Sequence, residues 1–224
     1  MVENSAEPWS NPDGTGYAND IVVAAFKEMG VDVRLKVVPY SRCKAEAMEG
    51  NTTACVSMSW LPEFKGRIQL ASKTLIVLDA DVFENVHSPL PSTPNHKCKL
   101  PVGTRVGTVI GYEYPKQVMD LQRQGVIFES VNSDGQNINK LARNRIDAAV
   151  VITNHHEPKN KKVLKEHQEA NVRLAFNCGT ETGTIGFSLK NPDGAWARKI
   201  FESGYNKIVQ KDLLAEFEKK WFGH

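Results

Sequence analysis

An alternation of helix-like and strand-like segments occurs twice in this chain, and it constrains the fold more than any other feature of the sequence. Apolar residues at helical spacing in residues 20–29 are followed by alternating apolar and polar residues at 31–37. A helix-like segment at 41–48 and a short apolar run at 54–58 come next. Strands that alternate with helices are typical of a mainly parallel sheet covered by helices. The first part of the chain therefore predicts an α/β unit.

The same alternation begins again after a proline-rich stretch at residues 85–103, which is typical of a connection between compact units. Beyond it we predict strands at 105–110, 126–131, 147–152, 172–176 and 184–189, helices at 113–123 and 136–144, a helix opened by Asn191-Pro192-Asp193, and a last helix at 212–221. In these last two helices the apolar spacing places Trp196, Phe201, Phe217 and Trp221 in the core. A chain of 224 residues is long enough for two units, each with its own core.

Charge and hydropathy exclude two classes of partner. The formal net charge is +2, and the basic residues are interspersed with acidic ones, so no basic stripe for nucleic acid exists. No apolar run is long enough for a membrane helix. The residues after Met1 lack the charged and apolar regions of a signal peptide, and we expect that such a peptide has been removed.

The four cysteines form no CxxC pair, so a zinc or redox motif is not indicated. Two disulfides, Cys43 with Cys55 and Cys98 with Cys178, are one possibility, and four buried free thiols are the other. The sequence therefore permits an oxidising compartment. His155 and His156 are adjacent and cannot share one helix face, so we expect no metal site there and no cofactor.

Several short motifs follow one another along almost the whole chain. They are Glu7-Pro8-Trp9, residues 14–30, Val38-Pro39-Tyr40-Ser41-Arg42, Ser57-Met58-Ser59-Trp60-Leu61-Pro62-Glu63, Val106-Gly107-Thr108-Val109-Ile110-Gly111-Tyr112, Arg145-Ile146-Asp147-Ala148-Ala149-Val150, Gly186-Phe187-Ser188-Leu189 and Lys220-Trp221-Phe222-Gly223. In this order and spacing they resemble the bacterial extracellular solute-binding proteins of the polar amino-acid type, family 3.

The resemblance implies a fold and a function. The fold is α/β and two-lobed, of the type II periplasmic-binding-protein kind, with a mainly parallel sheet flanked by helices in each lobe and a two-stranded hinge. Residues 1–84 plus 183–224 would form the first lobe and residues 85–182 the inserted second lobe. Such a protein captures a small polar solute between its lobes in the periplasm and presents it to the permease of an ABC transporter or to a sensor protein. We expect a monomer.

Two other functions were weighed against this one. An enzyme is one, because a dehydratase resembles this fold and uses the same cleft, but no nucleophile with an adjacent base stands out. An extracellular sensory input domain is the other. The sequence therefore favours a binding protein without catalytic activity.

The charged anchors of the family are missing from this sequence. The arginine that grips a ligand carboxylate in the family corresponds here to Phe64 or Lys65, depending on the alignment. The second-lobe aspartate that receives the ammonium group corresponds to Ile152 or Thr153. Because a buried charge without its partner is costly, loss of both anchors indicates a solute other than a standard α-amino acid.

The resemblance supplies the remaining candidates for ligand contact, each with an alternative role. Trp9, Tyr40 and Trp60 would stack on the ligand or pack between lobes. Arg42 would reach the ligand or pair on its own helix. Ser57 and Ser59 would bind at a strand end or cap the next turn. The remaining candidates are Lys65, Gly111, Tyr112 and Thr153, the backbone amides after Gly111 being suited to an anion at a helix start. Asp147 is expected to be structural.

Overall fold

A computed structural model describes residues 1–91, 98–154 and 171–223 of the chain. The chain divides into two compact units, which are Met1–Ile76 with Thr182–His224 and Val77–Glu181. We call them the first unit and the second unit. Residues 77–84, which the sequence placed in the first lobe, belong to the second unit. The adjacent histidines His155 and His156 lie outside the described residues.

In chain order the elements are β1 (Val2–Glu3), α1 (Tyr17–Lys27), β2 (Val37–Val38), α2 (Tyr40–Glu49), β3 (Ala54–Met58), β4 (Ile68–Leu70), β5 (Ile76–Asn85), β6 (Arg105–Val109), α3 (Lys116–Arg123), β7 (Ile127–Val131), α4 (Asp134–Ala142), β8 (Ala148–Asn154), β9 (Val172–Ser188), α5 (Gly194–Gln210) and α6 (Leu213–Phe222). A 3-10 turn at Pro62–Phe64 follows β3.

In the first unit, β1 pairs in parallel with β2, and β3 and β4 pair antiparallel with the last residues of β9. The predicted strand at 31–37 is paired only at its end, Val37, which lies opposite Val2. Alternating polarity orients side chains, but a strand also needs a neighbour for its backbone groups. Residues 32–35 have no such neighbour in the described part of the chain.

Helices α1 and α5 form the core of the first unit. A Cβ atom on Gly204 would overlap the carbonyl oxygen of Ala25, so the close approach of these helices requires glycine there. The ring of Phe201 is fully buried and lies 6.1 Å from that of Phe26. The core prediction was wrong for Trp196, which is 52% exposed because it lies on the outer side of α5. Phe217 and Trp221 on α6 are only half-buried.

In the second unit, β6 lies between β7 and β8 and is parallel to both, whereas β5 is antiparallel to β8. Helix α4 covers a core of Phe83, Ile138, Leu141, Ile146 and Ala149. Ser133 caps α4, because its hydroxyl accepts a hydrogen bond from the backbone of Gln136.

Three differences from the sequence prediction concern element bounds. Strand β5 was not predicted. Strand β9 is continuous, whereas the sequence indicated two strands at 172–176 and 184–189. Helix α3 begins at Lys116 and not at residue 113, because Pro115, at its N-cap position, disfavours a helical conformation of Tyr114 before it.

The structure contains both of the disulfides that the sequence allowed. Cys43 on α2 is bonded to Cys55 on β3, with their Cα atoms 5.5 Å apart, and Cys98 is bonded to Cys178 on β9 at 4.9 Å. The alternative of four free thiols is therefore wrong. All four tryptophans, Trp9, Trp60, Trp196 and Trp221, belong to the first unit. No helix within the described ranges has the length and hydropathy to cross a bilayer.

We predict unequal losses of stability when the disulfides are removed. The pair Cys98–Cys178 spans 80 residues of sequence and the pair Cys43–Cys55 spans 12. A longer closed loop restricts the unfolded chain more, so serine pairs should lower the free energy of unfolding by about 4.5 and about 3 kcal/mol respectively. Urea unfolding followed by circular dichroism measures both values. A larger loss for Cys43–Cys55 would contradict this expectation.

Candidate functional site

The end of strand β3 carries a strained residue at a position that the sequence singled out. Ser57 has φ of 68°, in the left-handed region, and the pairing of β3 with β9 shifts register between Cys55 and Met58. A left-handed conformation costs a residue other than glycine roughly 1–2 kcal/mol. The Ser57 hydroxyl is buried without a hydrogen-bond partner among the described residues. The fold thus places at the end of β3 a hydroxyl group whose hydrogen-bonding capacity the described residues do not use.

Two residues after Ser57, a buried serine fixes the path of the chain. Ser59 is 3% exposed, and its hydroxyl donates to the carbonyl oxygen of Thr182 at 2.9 Å. Trp60 follows and is 62% exposed. Ser57, Ser59 and Trp60, which we call the β3-end segment, thus combine an unpaired hydroxyl with an exposed indole ring on an anchored backbone. Such a segment is suited to contact a ligand with a polar group and a flat apolar part.

The residues aligned with the family's arginine do not form a cationic fork. Phe64 is 1% exposed and belongs to the core of the first unit, where the Lys44 ammonium lies 5.8 Å from the centre of its ring. Lys65 is exposed at the end of the 3-10 turn. An ammonium group is a single point charge and cannot grip a carboxylate in two places as a guanidinium does.

The other first-unit candidates differ in their exposure. Trp9 and Tyr40 are buried, at 4% and 5% exposure, so neither ring offers an open face in this structure. The Arg42 side chain is exposed, and its Nε atom lies 3.6 Å from a carboxylate oxygen of Glu46, one turn along α2. Of the two roles predicted for Arg42, the structure shows the ion pair with Glu46 on the same helix.

In the second unit, Gly111 and Tyr112 lie in a turn after β6 and not at a helix start. Gly111 has φ of 88°, and the Tyr112 amide donates to the Val109 carbonyl at 3.3 Å. The backbone amide of Val109 in turn donates to the Tyr114 hydroxyl at 2.8 Å. The expected helix start at Gly111 is therefore absent, because α3 begins only at Lys116, and ligand contact by Gly111 and Tyr112 stays a prediction.

Thr153 leads to a cluster of buried polar groups that the sequence did not predict. Its hydroxyl donates to Asp81 at 2.6 Å, and the Asn177 amide donates to the same carboxylate at 2.8 Å. Asp79, on the same face of β5, accepts from the Thr180 hydroxyl at 2.7 Å. Both carboxylates are at most 2% exposed. We call these five residues the β5 carboxylate cluster.

Burying two carboxylates is costly unless donors surround them, and hydroxyl and amide groups supply these donors here. The sequence signal for the cluster is the presence of two aspartates within the apolar run of residues 75–83. Ile152, the other residue aligned with the family's aspartate, is 6% exposed and apolar.

Asp147 has the structural role that the sequence indicated. Its carboxylate accepts from the Arg105 guanidinium at 2.9 and 3.2 Å and from the Arg105 backbone amide at 2.8 Å. The Arg105 hydrogen bonds hold the pKa of Asp147 below its ordinary value. The pair joins the start of β6 to the turn before β8.

Among the described residues, no group of three histidine, cysteine, aspartate or glutamate side chains is placed to hold a metal ion. The candidate residues instead form two separate sets. The β3-end segment, Lys65, Arg42, Trp9 and Tyr40 belong to the first unit, and Thr153, Gly111 and Tyr112 belong to the second.

Comparison with known proteins yields matches only at the level of structure. No protein-family model matches the sequence, and no curated protein matches it. An ancestral arginine-binding protein bound to arginine matches with a TM-score of 0.77 at 16% identity, over 99% of this chain and 96% of that one. The substrate-binding protein of an amino acid ABC transporter matches with a TM-score of 0.75 at 16% identity, over 100% and 98%.

A third match is a histidine kinase sensor domain with similarity to periplasmic binding proteins, with a TM-score of 0.76 at 14% identity over 99% of this chain and 95% of that one. At such identities the likeness shows the fold. The two-lobed α/β fold that the sequence motifs implied is therefore confirmed.

We predict that the Thr153 hydroxyl stabilises the second unit through Asp81. Thr153→Val keeps the shape of the side chain but leaves a buried carboxylate with one donor fewer, which should cost about 1–3 kcal/mol. Thr153→Ser retains the hydroxyl and should cost clearly less. Urea unfolding of both variants measures the difference, and equal losses would show that the hydroxyl has no such role.

We also predict a small contribution of Asp147 that depends on pH. Because the folded pKa is lowered, this contribution is present above the ordinary value of 3.8 and is lost as the pH falls through the folded pKa. The side chains of Arg105 and Asp147, which form the ion pair, are 41% and 43% exposed. Asp147→Asn should therefore cost less than about 1 kcal/mol at pH 7, and this cost should become smaller as the pH falls below 3.8. Urea unfolding over a series of pH values from neutral to acid measures this, and a loss that grows in acid would contradict it.

Proposed function

We propose that this chain is a receptor that binds a small polar solute outside the cytoplasmic membrane and presents it to the permease of an ABC transporter. The observation that carries the proposal is the β3-end segment on a fold shared with solute-binding proteins. A strained residue persists only where the surrounding structure enforces its conformation, and such residues cluster at ligand sites. Ser57 combines this strain with a buried hydroxyl that lacks a partner.

The two disulfides support a location in an oxidising compartment, and we propose the periplasm. A reducing cytoplasm would open such bonds, and each of them fastens a strand of the sheet to a neighbouring segment. No catalytic step is part of the proposal. The buried carboxylates of the β5 carboxylate cluster accept hydrogen bonds from two threonine hydroxyls and one asparagine amide, which supports a structural role for them.

We further propose that the solute is not a standard α-amino acid. Phe64 or Lys65 stands where the family has its arginine, and Ile152 or Thr153 stands where it has its aspartate. None of these four side chains supplies a guanidinium fork or a carboxylate. Trp60, Ser57, Ser59 and Lys65 favour a solute with a flat apolar part and hydrogen-bonding groups. Thr153, Gly111 and Tyr112, together with Trp9, Tyr40 and Arg42, stay predictions for ligand contact.

A sensory input domain is the second candidate, because the matched structures include a histidine kinase sensor domain over nearly the full length of this chain. Both functions require solute binding, and they differ in the membrane protein that receives the signal. Stimulation of ATP hydrolysis by a reconstituted permease would support the transport role. Stimulation of a kinase would support the sensory role.

A solute panel followed by thermal unfolding tests the proposed binding function. A ligand that binds only the folded protein raises the melting temperature by an amount set by its concentration relative to its dissociation constant. Trp60 gives a second readout, since its exposed ring should change fluorescence when a solute covers it. A panel of polar metabolites that leaves both signals unchanged would contradict the proposal.

We predict opposite effects of Ser57→Gly on stability and on binding. Glycine adopts the left-handed conformation freely, so the variant should gain about 1 kcal/mol of stability. It should lose solute affinity, because the unpaired hydroxyl is gone. The matched control is Ser57→Ala, which also lacks the hydroxyl but keeps the strained backbone, so the glycine variant should be the more stable of the two by about 1 kcal/mol. Titration calorimetry and urea unfolding separate the two effects, and unchanged affinity in both variants would exclude Ser57 from the site.

A further inference from the structure

Strand β3 contains one more residue than the stretch of β9 that pairs with it. Cys55 lies opposite Gly186 and Met58 lies opposite Thr184, so three steps along β3 correspond to two steps along β9. The extra residue makes a β-bulge, which bends a strand and changes the direction of a side chain. Ser57 lies in this bulge and has φ of 68°. The bulge therefore determines the direction of the Ser57 side chain.

Gly183 on β9 is packed between the bulge and the start of β5. A Cβ atom on Gly183 would lie 3.5 Å from the carbonyl carbon of Ser57, and 2.8 and 2.9 Å from two carbon atoms of the Ile76 side chain. Carbon atoms pack at about 3.5–4.0 Å, so a side chain at this position would touch Ser57 and overlap Ile76. Ile76 is buried, and the amide of Leu75 before it donates to the Gly183 carbonyl at 2.9 Å. The space beside the bulge therefore admits only a residue without a side chain.

Strand β9 also holds the backbone that follows the bulge. The Ser59 hydroxyl donates to the carbonyl of Thr182 at 2.9 Å, and Met58 pairs with Thr184. Thr182 and Thr184 are the neighbours of Gly183 in the chain, so the bulge is attached to β9 on both sides of the glycine. A displacement of β9 at this point would therefore move the bulge as well.

The left-handed conformation of Ser57 needs such an external constraint. A residue other than glycine occupies this region only where the surrounding structure enforces it. In an ordinary extended conformation, successive side chains of a strand point to opposite faces of the sheet, and the hydroxyl would take another direction. The close packing of β9 on the bulge supplies the constraint, and the absence of a side chain at Gly183 permits this packing.

We propose that Gly183 is a positioning residue for the solute site. Because it has no side chain, β9 packs on the bulge and keeps Ser57 in the conformation that presents its hydroxyl to the solute. This proposal rests on the receptor function, in which that hydroxyl binds the solute. Gly183 acts through Ser57 and not by contact with the solute, so a side chain at position 183 weakens binding although every residue of the β3-end segment is retained.

Gly183→Ala tests the proposal without any solute. In the wild-type protein, Ser57→Gly should raise the urea midpoint, because glycine adopts the left-handed conformation freely. In the Gly183→Ala protein, the same substitution should raise the midpoint by less than about half as much, because residue 57 is no longer held in that conformation. Tryptophan fluorescence gives the midpoint of the first unit, to which all four tryptophans belong.

Three further variants separate positioning from a general loss of stability. Phe201→Leu removes packing from the core of the first unit and should lower the midpoint, but the shift produced by Ser57→Gly should persist in it. Ile76→Ala removes the atoms that the new methyl group overlaps, so Gly183→Ala/Ile76→Ala should regain the shift. Ser59→Ala releases β9 next to Gly183 without adding atoms and should also reduce the shift, which gives a second measurement if Gly183→Ala does not fold.

Solute affinity supplies the functional readout. The compound with the largest thermal shift in the solute panel serves as the probe, and titration calorimetry gives its dissociation constant. Gly183→Ala should raise this constant at least about tenfold. In the Ser57→Ala background it should have no further effect, because no hydroxyl remains to be positioned.

Two results would overturn the proposal. The first is an equal shift by Ser57→Gly in the wild-type and Gly183→Ala proteins or, where Gly183→Ala does not fold, in the wild-type and Ser59→Ala proteins. The second is a loss of affinity in Gly183→Ala that is just as large in the Ser57→Ala background. A panel without any binding compound would contradict the receptor function, whereas the urea midpoints would still decide the role of Gly183, so the two failures are distinguishable.

Discussion

Hydrogen bonding along strand β9 is the constraint on which the rest of the structure depends. Its first half carries Asn177 and Thr180, which donate to the buried aspartates of the second unit, and Cys178, which forms a disulfide there. Its last residues pair with β3 and β4 in the first unit. The carbonyl of Thr182, between these two parts, fixes Ser59. The β3-end segment and the β5 carboxylate cluster are therefore both held by one continuous strand.

Most of the fold could be predicted from the sequence, because helix and strand periods are strong in residues 41–58 and 105–152. Strand β5 could not, since Asp79, Asp81 and Glu84 interrupt its apolar pattern and a polar residue in an apolar run usually marks the edge of an element. Two of these three residues, Asp79 and Asp81, belong to the β5 carboxylate cluster. At residues 31–37 the sequence predicts a strand that the structure does not form in full. Their apolar and polar residues alternate as in a strand, but only Val37 among them is paired.

The candidate site could be predicted in location but not in detail. The motif around Ser57 and Trp60 predicted that the β3-end segment lies at the end of a strand, and in the structure it lies at the end of β3. The left-handed conformation of Ser57 has no signal in the sequence, because glycine or asparagine would be expected there. The partner of Thr153, Asp81, lies 72 residues away in sequence, and no local pattern connects the two. Long-range side-chain pairing of this kind depends on register, which only the assembled sheet defines.

The placement of every tryptophan in the first unit has an optical consequence. Light at the long-wavelength edge of indole absorption excites the first unit alone. The described rings of the second unit include Tyr112 and Tyr114, and tyrosine does not absorb at that wavelength. A single indole introduced at the exposed Ile127 would give the second unit its own emission. The two halves of the molecule could then be observed as separate chromophores, each denaturing or responding on its own timescale.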